Sequence, residues 1–220
     1  MAEQGLTIVR LADIPWEARV NVDNWPNRAG MYYDNRDLEL CIRLIDYPFG
    51  SIEPRHVHEG KHGTTVLKGK AIVDGLTFGP LDVILGPSNE PHGPLNYPDG
   101  CMLLSAFQGS YYHSEVEKLA TEKHYRLIQH EALPWQKLSG GGEVKTLVDH
   151  GLDRMLIEAY RFPAGASMVP GFLAALVVDG APKVNGETLG TWDFVHRGID
   201  RPSGAIDFPE GGTLLAITMR

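Results

Sequence analysis

The sequence repeats itself. Residues 69–107 align without a gap onto residues 180–218 at an offset of 111, with identities at Gly69/Gly180, Val73/Val184, Gly75/Gly186, Thr77/Thr188, Gly79/Gly190 and Asp82/Asp193. They continue through Pro91/Pro202, Gly93/Gly204, Pro98/Pro209, Gly100/Gly211, Leu103/Leu214 and Leu104/Leu215. Most of these pairs are Gly or Pro, so the same turns recur in the same order, the mark of a duplicated supersecondary unit. Upstream, Ile14-Pro15-Trp16 echoes Leu133-Pro134-Trp135 at an offset of 119, and Gly50 echoes Gly165 at 115. The offset drops by four twice, as two loop deletions would make it do. A chain of 220 residues could be one large domain or two small ones, and the repeat decides for two. The expected division is 1–112 and 125–220, with a connector at 113–124.

Within each half, short apolar runs alternate with Gly and Pro turns: Leu38 to Ile45, Thr64 to Leu67, Asp82 to Leu85 and Cys101 to Phe107. With 25 Gly and 15 Pro in the chain, this spacing predicts an all-β fold, each half an antiparallel jelly-roll barrel. In the connector, Ser114-Glu115-Val116-Glu117 is a capping-box pattern followed by Val116, Leu119 and Ala120 on one helical face, which predicts a short joining helix.

A formal net charge of −8 argues against nucleic acid as a partner. The longest apolar run, Phe172 to Val178, is too short to cross a bilayer, and the start MAEQGLTIVR has no signal-peptide pattern. A soluble cytoplasmic protein is expected. Cys41 and Cys101 lack CxxC spacing and read as small buried side chains.

Four of the nine histidines carry the chemistry: His56, His58 and His62, then His92 thirty residues later. On a strand, positions i and i+2 face one side, so His56 and His58 present two imidazoles to one point while Val57 turns away. His62 follows across a short loop, and His92 lies in a Pro-His-Gly-Pro turn that a barrel can fold back onto the pair. Four neutral imidazoles suit a divalent transition metal and suit Ca or Mg poorly. In the second half the His92 position is Ser203, and His56-Val57-His58 is cut down within Ser167-Met168-Val169-Pro170-Gly171, so no metal site is expected there.

At these residues the first half resembles the cupin superfamily. The stretch from Gly50 to Gly69 is similar to the first cupin motif, with His62 where the family usually has Glu. The stretch from Asp82 to Asn96 is similar to the second, with Leu81 and Asn89 at positions usually held by Gly. The resemblance implies two tandem cupin barrels, the first binding a metal through His56, His58, His62 and His92 and the second degenerate. It extends to the cupin modules of anti-sigma factors and to acetylacetone-cleaving dioxygenases. No segment that could form a sigma-binding domain precedes the first barrel, so the anti-sigma role is not expected.

Four neutral ligands would leave the charge of the ion uncompensated and favour anionic ligands. The resemblance therefore implies a metal-dependent dioxygenase, with Fe(II) favoured over Zn, Ni or Mn, acting with dioxygen on a small enolisable or aromatic compound such as a β-diketone. The alternatives are a Zn-type lyase, isomerase or cyclase acting by Lewis-acid catalysis, and a metal-dependent small-molecule sensor. Glu90, two residues before His92, is the first candidate base, and Glu59 the second. Arg55 and Arg43 are candidates to fix an anionic group, with Tyr33, Phe107, Tyr32 and Trp25 to line the pocket. Barrel edge strands make a homodimer the expected assembly.

Overall fold

A computed structural model of the chain describes residues 5–20, 26–110, 113–115, 125–149, 155–198 and 204–220. Two compact units emerge, one spanning Pro15–His130 and the other combining Met1–Ile14 with Glu131–Arg220. We call these the first and second units. Among the described residues the structure is all-β, apart from the 3-10 turns Leu11–Asp13 and His130–Ala132.

The first unit pairs a seven-stranded sheet with a four-stranded one. The seven strands run Arg126–Ile128, Val83–Gly86, Lys61–Gly69, Cys101–Gln108, Leu40–Tyr47, Pro26–Asn35 and Trp16–Val20 in spatial order. The four run Ser51–Glu53, Leu95–Tyr97, Ala71–Val73 and Leu76–Phe78. Tyr47, Val66, Val73, Phe78, Ile84, Tyr97 and Leu103 form a core drawn from both sheets. The second unit has the same two sheets in the same order, strand for strand, around Phe162, Phe172, Val177, Val184, Ile206 and Phe208. Side chains alternate faces along these strands, and both faces of the central ones are buried, as in Leu40–Leu44, Val83–Gly86 and Cys101–Phe107, which is why they read as short apolar runs.

The repeated glycines have a backbone cause. Asp74-Gly75 and Asn185-Gly186 turn the hairpins Val73↔Leu76 and Val184↔Glu187, and all four residues have positive φ. That is the two-residue hairpin turn whose twist matches that of the flanking strands. Leu81 and Asn89, the departures from the second motif, nevertheless keep positive φ, at 72° and 58°. The left-handed conformation survives the loss of glycine there.

The repeat extends into a short strand that precedes each unit's main body in sequence. Thr7–Val9 pairs with Phe194–His196 in the second unit, and Arg126–Ile128 pairs with Val83–Gly86 in the first. Val9 faces Phe194 as Ile128 faces Val83, the same register at offsets of 119 and 111. The recurring aspartate anchors each strand. Asp193 accepts the amides of Leu11 and Gly190, and Asp82 accepts those of His130 and Gly79. Residues 5–14 thus belong with the second unit, unlike the tandem division at 112 and 125.

The expected joining helix does not start at Ser114. His113–Glu115 is a strand, paired with His56–His58 in the register Glu115↔His56 and His113↔His58. The alternating sequence fits either state, and the open edge of the histidine strand supplies the hydrogen bonds that decide it. Residues 116–124 lie outside the described residues.

Candidate metal centre

His56 and His58 sit at the two ends of the strand His56–His58, both buried, with Val57 turned the other way. His92 reaches them through an antiparallel bridge in which the His56 amide donates to the His92 carbonyl at 3.0 Å and the His92 amide returns the bond at 2.9 Å. Residues directly opposite in such a bridge project to one side, and so a thirty-residue separation in sequence closes to a single point. The ligand nitrogens of His56, His58 and His92 all lie within 4.8 Å of one another.

Backbone carbonyls fix the tautomers. His56 Nδ1 is 2.7 Å from Pro54 O and His92 Nδ1 is 3.2 Å from Glu90 O, so each Nδ1 carries the proton and each Nε2 keeps its lone pair. His56 Nε2 lies 3.0 Å from His58 Nε2, so without an ion His58 must donate to it. Two imidazoles at right angles on one ion, with bonds of ~2.1 Å, would also stand ~3.0 Å apart. The donor set therefore fits a transition metal, with the His58 proton moving from Nε2 to Nδ1 so that Nε2 can ligate. Burial, with His56 close by, pushes the His92 pKa down to about 4, which keeps the imidazole neutral and able to ligate at ordinary pH.

His62 lines the same cavity beside this trio. Its ring centroid is 4.7 Å from that of His58 and 4.9 Å from that of His92. Nδ1 lies 3.3 Å from Thr64 Oγ1, which in turn meets Ser105 Oγ at 3.0 Å. The other end of the ring occupies the space that a Cβ on Gly86 would fill, because Gly86 is its cross-strand partner. The structure thus groups three histidines, whereas the motif spacing suggested four.

The sequence did not single out Glu53. Its Oε1 is 3.7 Å from His56 Nε2, and Oε2 accepts the Tyr97 hydroxyl at 2.7 Å. The Tyr47 hydroxyl also bonds to it, and the two tyrosine rings stack at 4.3 Å. Burial would raise the Glu53 pKa, but His56 and the two hydroxyls outweigh it and hold the carboxyl below its usual value. The signal lay in the repeat, where Glu53 aligns with Met168.

Phe107 lines the same cavity, its ring 5.0 Å from His58. The other candidates lie elsewhere. The Glu90 carboxylate is buried and accepts the Tyr125 amide at 2.7 Å, while its carbonyl meets His92 Nδ1. Glu59 is exposed, at a position where the chain leaves the histidine strand. Tyr33 is buried and accepts from Asn35, while Arg43 is buried and Arg55 half-buried; none of the three lines the cavity. Tyr32 is buried outside it, and Trp25 falls outside the described residues. The cavity has a volume of about 30 Å³, walled also by Ile84, Leu95 and Leu103. A wider groove of about 550 Å³ in the second unit, between Lys137, Arg161 and Asp179, has no histidine.

No protein-family model and no curated protein matches the sequence. Solved structures do. A protein from Nostoc punctiforme, named as a candidate dioxygenase, superposes with a TM-score of 0.81 over 98% of this chain and 83% of its own, at 12% identity. A salicylate 1,2-dioxygenase variant from Pseudoaminobacter salicylatoxidans in complex with gentisate gives 0.65 over 98% and 82%, at 15% identity. An oxalate decarboxylase variant from Bacillus subtilis gives 0.65 over 100% and 78%, at 14% identity. At such identities the likeness shows a shared fold. Among the described residues no helix is long and apolar enough to cross a membrane.

Proposed function

We propose that this chain is a metal-dependent cupin enzyme whose first unit, a jelly-roll barrel, holds one divalent ion on Nε2 of His56, His58 and His92. The second unit is a barrel without a metal. The observation that carries this reading is the trio itself: three buried imidazoles, two of them oriented by backbone carbonyls, converging inside one cavity. Three histidines with no carboxylate among them differ from the two-histidine, one-carboxylate set of many non-haem iron enzymes.

Within that reading the reaction is a dioxygenation of a small enolisable or aromatic compound, with Fe(II) as the metal. When bound, the ion supplies Lewis acidity and one-electron exchange with dioxygen. The protein's own part is to hold the three imidazoles oriented, to wall the cavity with Phe107, Ile84 and Leu95, and to present Glu53 beside His56. A cavity of about 30 Å³ admits a water-sized ligand, so a diketone or phenol requires the side chains to open. The dioxygenase names among the structural neighbours support the choice of chemistry.

Glu53 favours a second reading, a redox-neutral Lewis-acid enzyme with Zn, because it places a carboxylate where a proton acceptor would be needed. Oxygen uptake by Fe(II)-loaded protein against a panel of β-diketones and phenols separates the two. Consumption of dioxygen with one of them supports the dioxygenase, turnover without uptake supports the Lewis-acid enzyme, and binding without turnover supports a sensor. A cytoplasmic homodimer joined through edge strands such as Trp16–Val20 completes the reading, and light scattering tests the assembly.

A further inference from the structure

The duplicated fold contains its own control for the polar interior of the first unit. Tyr47, Glu53 and Tyr97 correspond to Phe162, Met168 and Phe208 at offsets of 115, 115 and 111. Strand register confirms the match, because Glu53 faces Leu95 as Met168 faces Ile206, and Tyr47 faces Cys101 as Phe162 faces Gly212. The ring pair is the same in both units: Tyr47 and Tyr97 stack at 4.3 Å and 22°, Phe162 and Phe208 at 4.3 Å and 24°. The fold therefore needs two stacked rings at this place and does not need two hydroxyls around a carboxylate. Burying a carboxylate costs stability that an apolar trio does not incur. The charged version occurs in the unit that carries the histidines, in the same cavity as all four of them.

We propose that Glu53, held by the Tyr47 and Tyr97 hydroxyls, is the specificity-determining residue of this centre: a fixed anionic acceptor beside the ion that selects ligands keeping an O–H or N–H over bare anions. The inference rests on the metal reading above. It also reverses the preference for anions expected of an uncompensated ion, because a carboxylate 3.7 Å from a ligand nitrogen opposes a second negative charge at the open positions. A ligand that retains a donor instead gains a charge-assisted hydrogen bond.

The test uses full-length protein loaded with Co(II), whose visible spectrum reports ligand exchange, and two probes: azide, a bare anion, and acetohydroxamate, which keeps an N–H when bound. Glu53→Gln should shift the ratio of the two affinities at least tenfold towards azide, while the cobalt affinity falls by less than a hundredfold. A triple variant, Tyr47→Phe with Glu53→Met and Tyr97→Phe, reproduces a trio that this fold already packs and should show the same shift. An unchanged ratio in both variants overturns the proposal, and so does a loss of cobalt affinity of a hundredfold or more, which would make Glu53 a ligand. Wild-type protein that binds no cobalt would instead overturn the metal reading, and the proposal with it.

Discussion

Treated with a chelator, this protein should show a stability that depends on acid in a way traceable to one side chain. His92 is 3% exposed, and its pKa falls from 6.5 to about 4. An unfolded chain takes up a proton on this residue as the pH drops through 6.5, whereas the folded chain does not until about pH 4. The unfolded state then binds more protons, so stability is full above pH 6.5, declines between 6.5 and about 4, and levels off below. A gap of about 2.5 units at ~1.4 kcal/mol each gives a loss of ~3 kcal/mol, a large share of the 5–15 kcal/mol typical of a domain. Urea unfolding of chelator-treated protein at pH 7.5, 6.0, 5.0 and 4.5 measures it, with His92→Asn as the reference. The wild type should lose ~2–3 kcal/mol more than the variant between the ends of that series. Parallel stability curves for the two proteins would refute the burial argument.

Three further outcomes follow from the same contacts. His62→Leu, which installs the residue found at Leu173, should retain one equivalent of metal by elemental analysis, whereas His58→Ala should lose it. Asp82→Ala removes the acceptor for the His130 and Gly79 amides and should cost about 2–4 kcal/mol, with the His130 amide losing hydrogen-exchange protection; Asp193→Ala should do the same to Leu11. Burial pushes the thiols of Cys41 and Cys101 up to about 12, so both should resist a thiol reagent at pH 8 until the protein is unfolded.

Turn chemistry made the architecture legible. Residues such as Asp74-Gly75 and Gly69 occupy backbone conformations that few other residues accept, so their recurrence at a constant offset carried the topology of both units. The histidines were legible for a similar reason, because i, i+2 spacing on a strand fixes direction. What could not be read was pairing between segments. A three-residue strand such as Thr7–Val9 carries too little pattern to state which sheet it joins, although the Asp82/Asp193 identity was its trace. Ser114-Glu115 satisfied a helix-start rule, and the edge of the histidine strand overrode it. Glu90 shares a strand-like spacing with His92, but the Tyr125 amide claims its carboxylate. Glu53 was hidden because Pro54 and Arg55 separate it from His56, while its partners Tyr47 and Tyr97 come from other strands.

An anomalous-scattering map from crystals of protein purified without added metal, recorded across the absorption edge of the element found in it, addresses the central claim. One peak per chain is expected, ~2.0–2.3 Å from Nε2 of His56, His58 and His92, with His62 outside bonding distance. No peak between those nitrogens, or an ion held elsewhere in the chain, would contradict it.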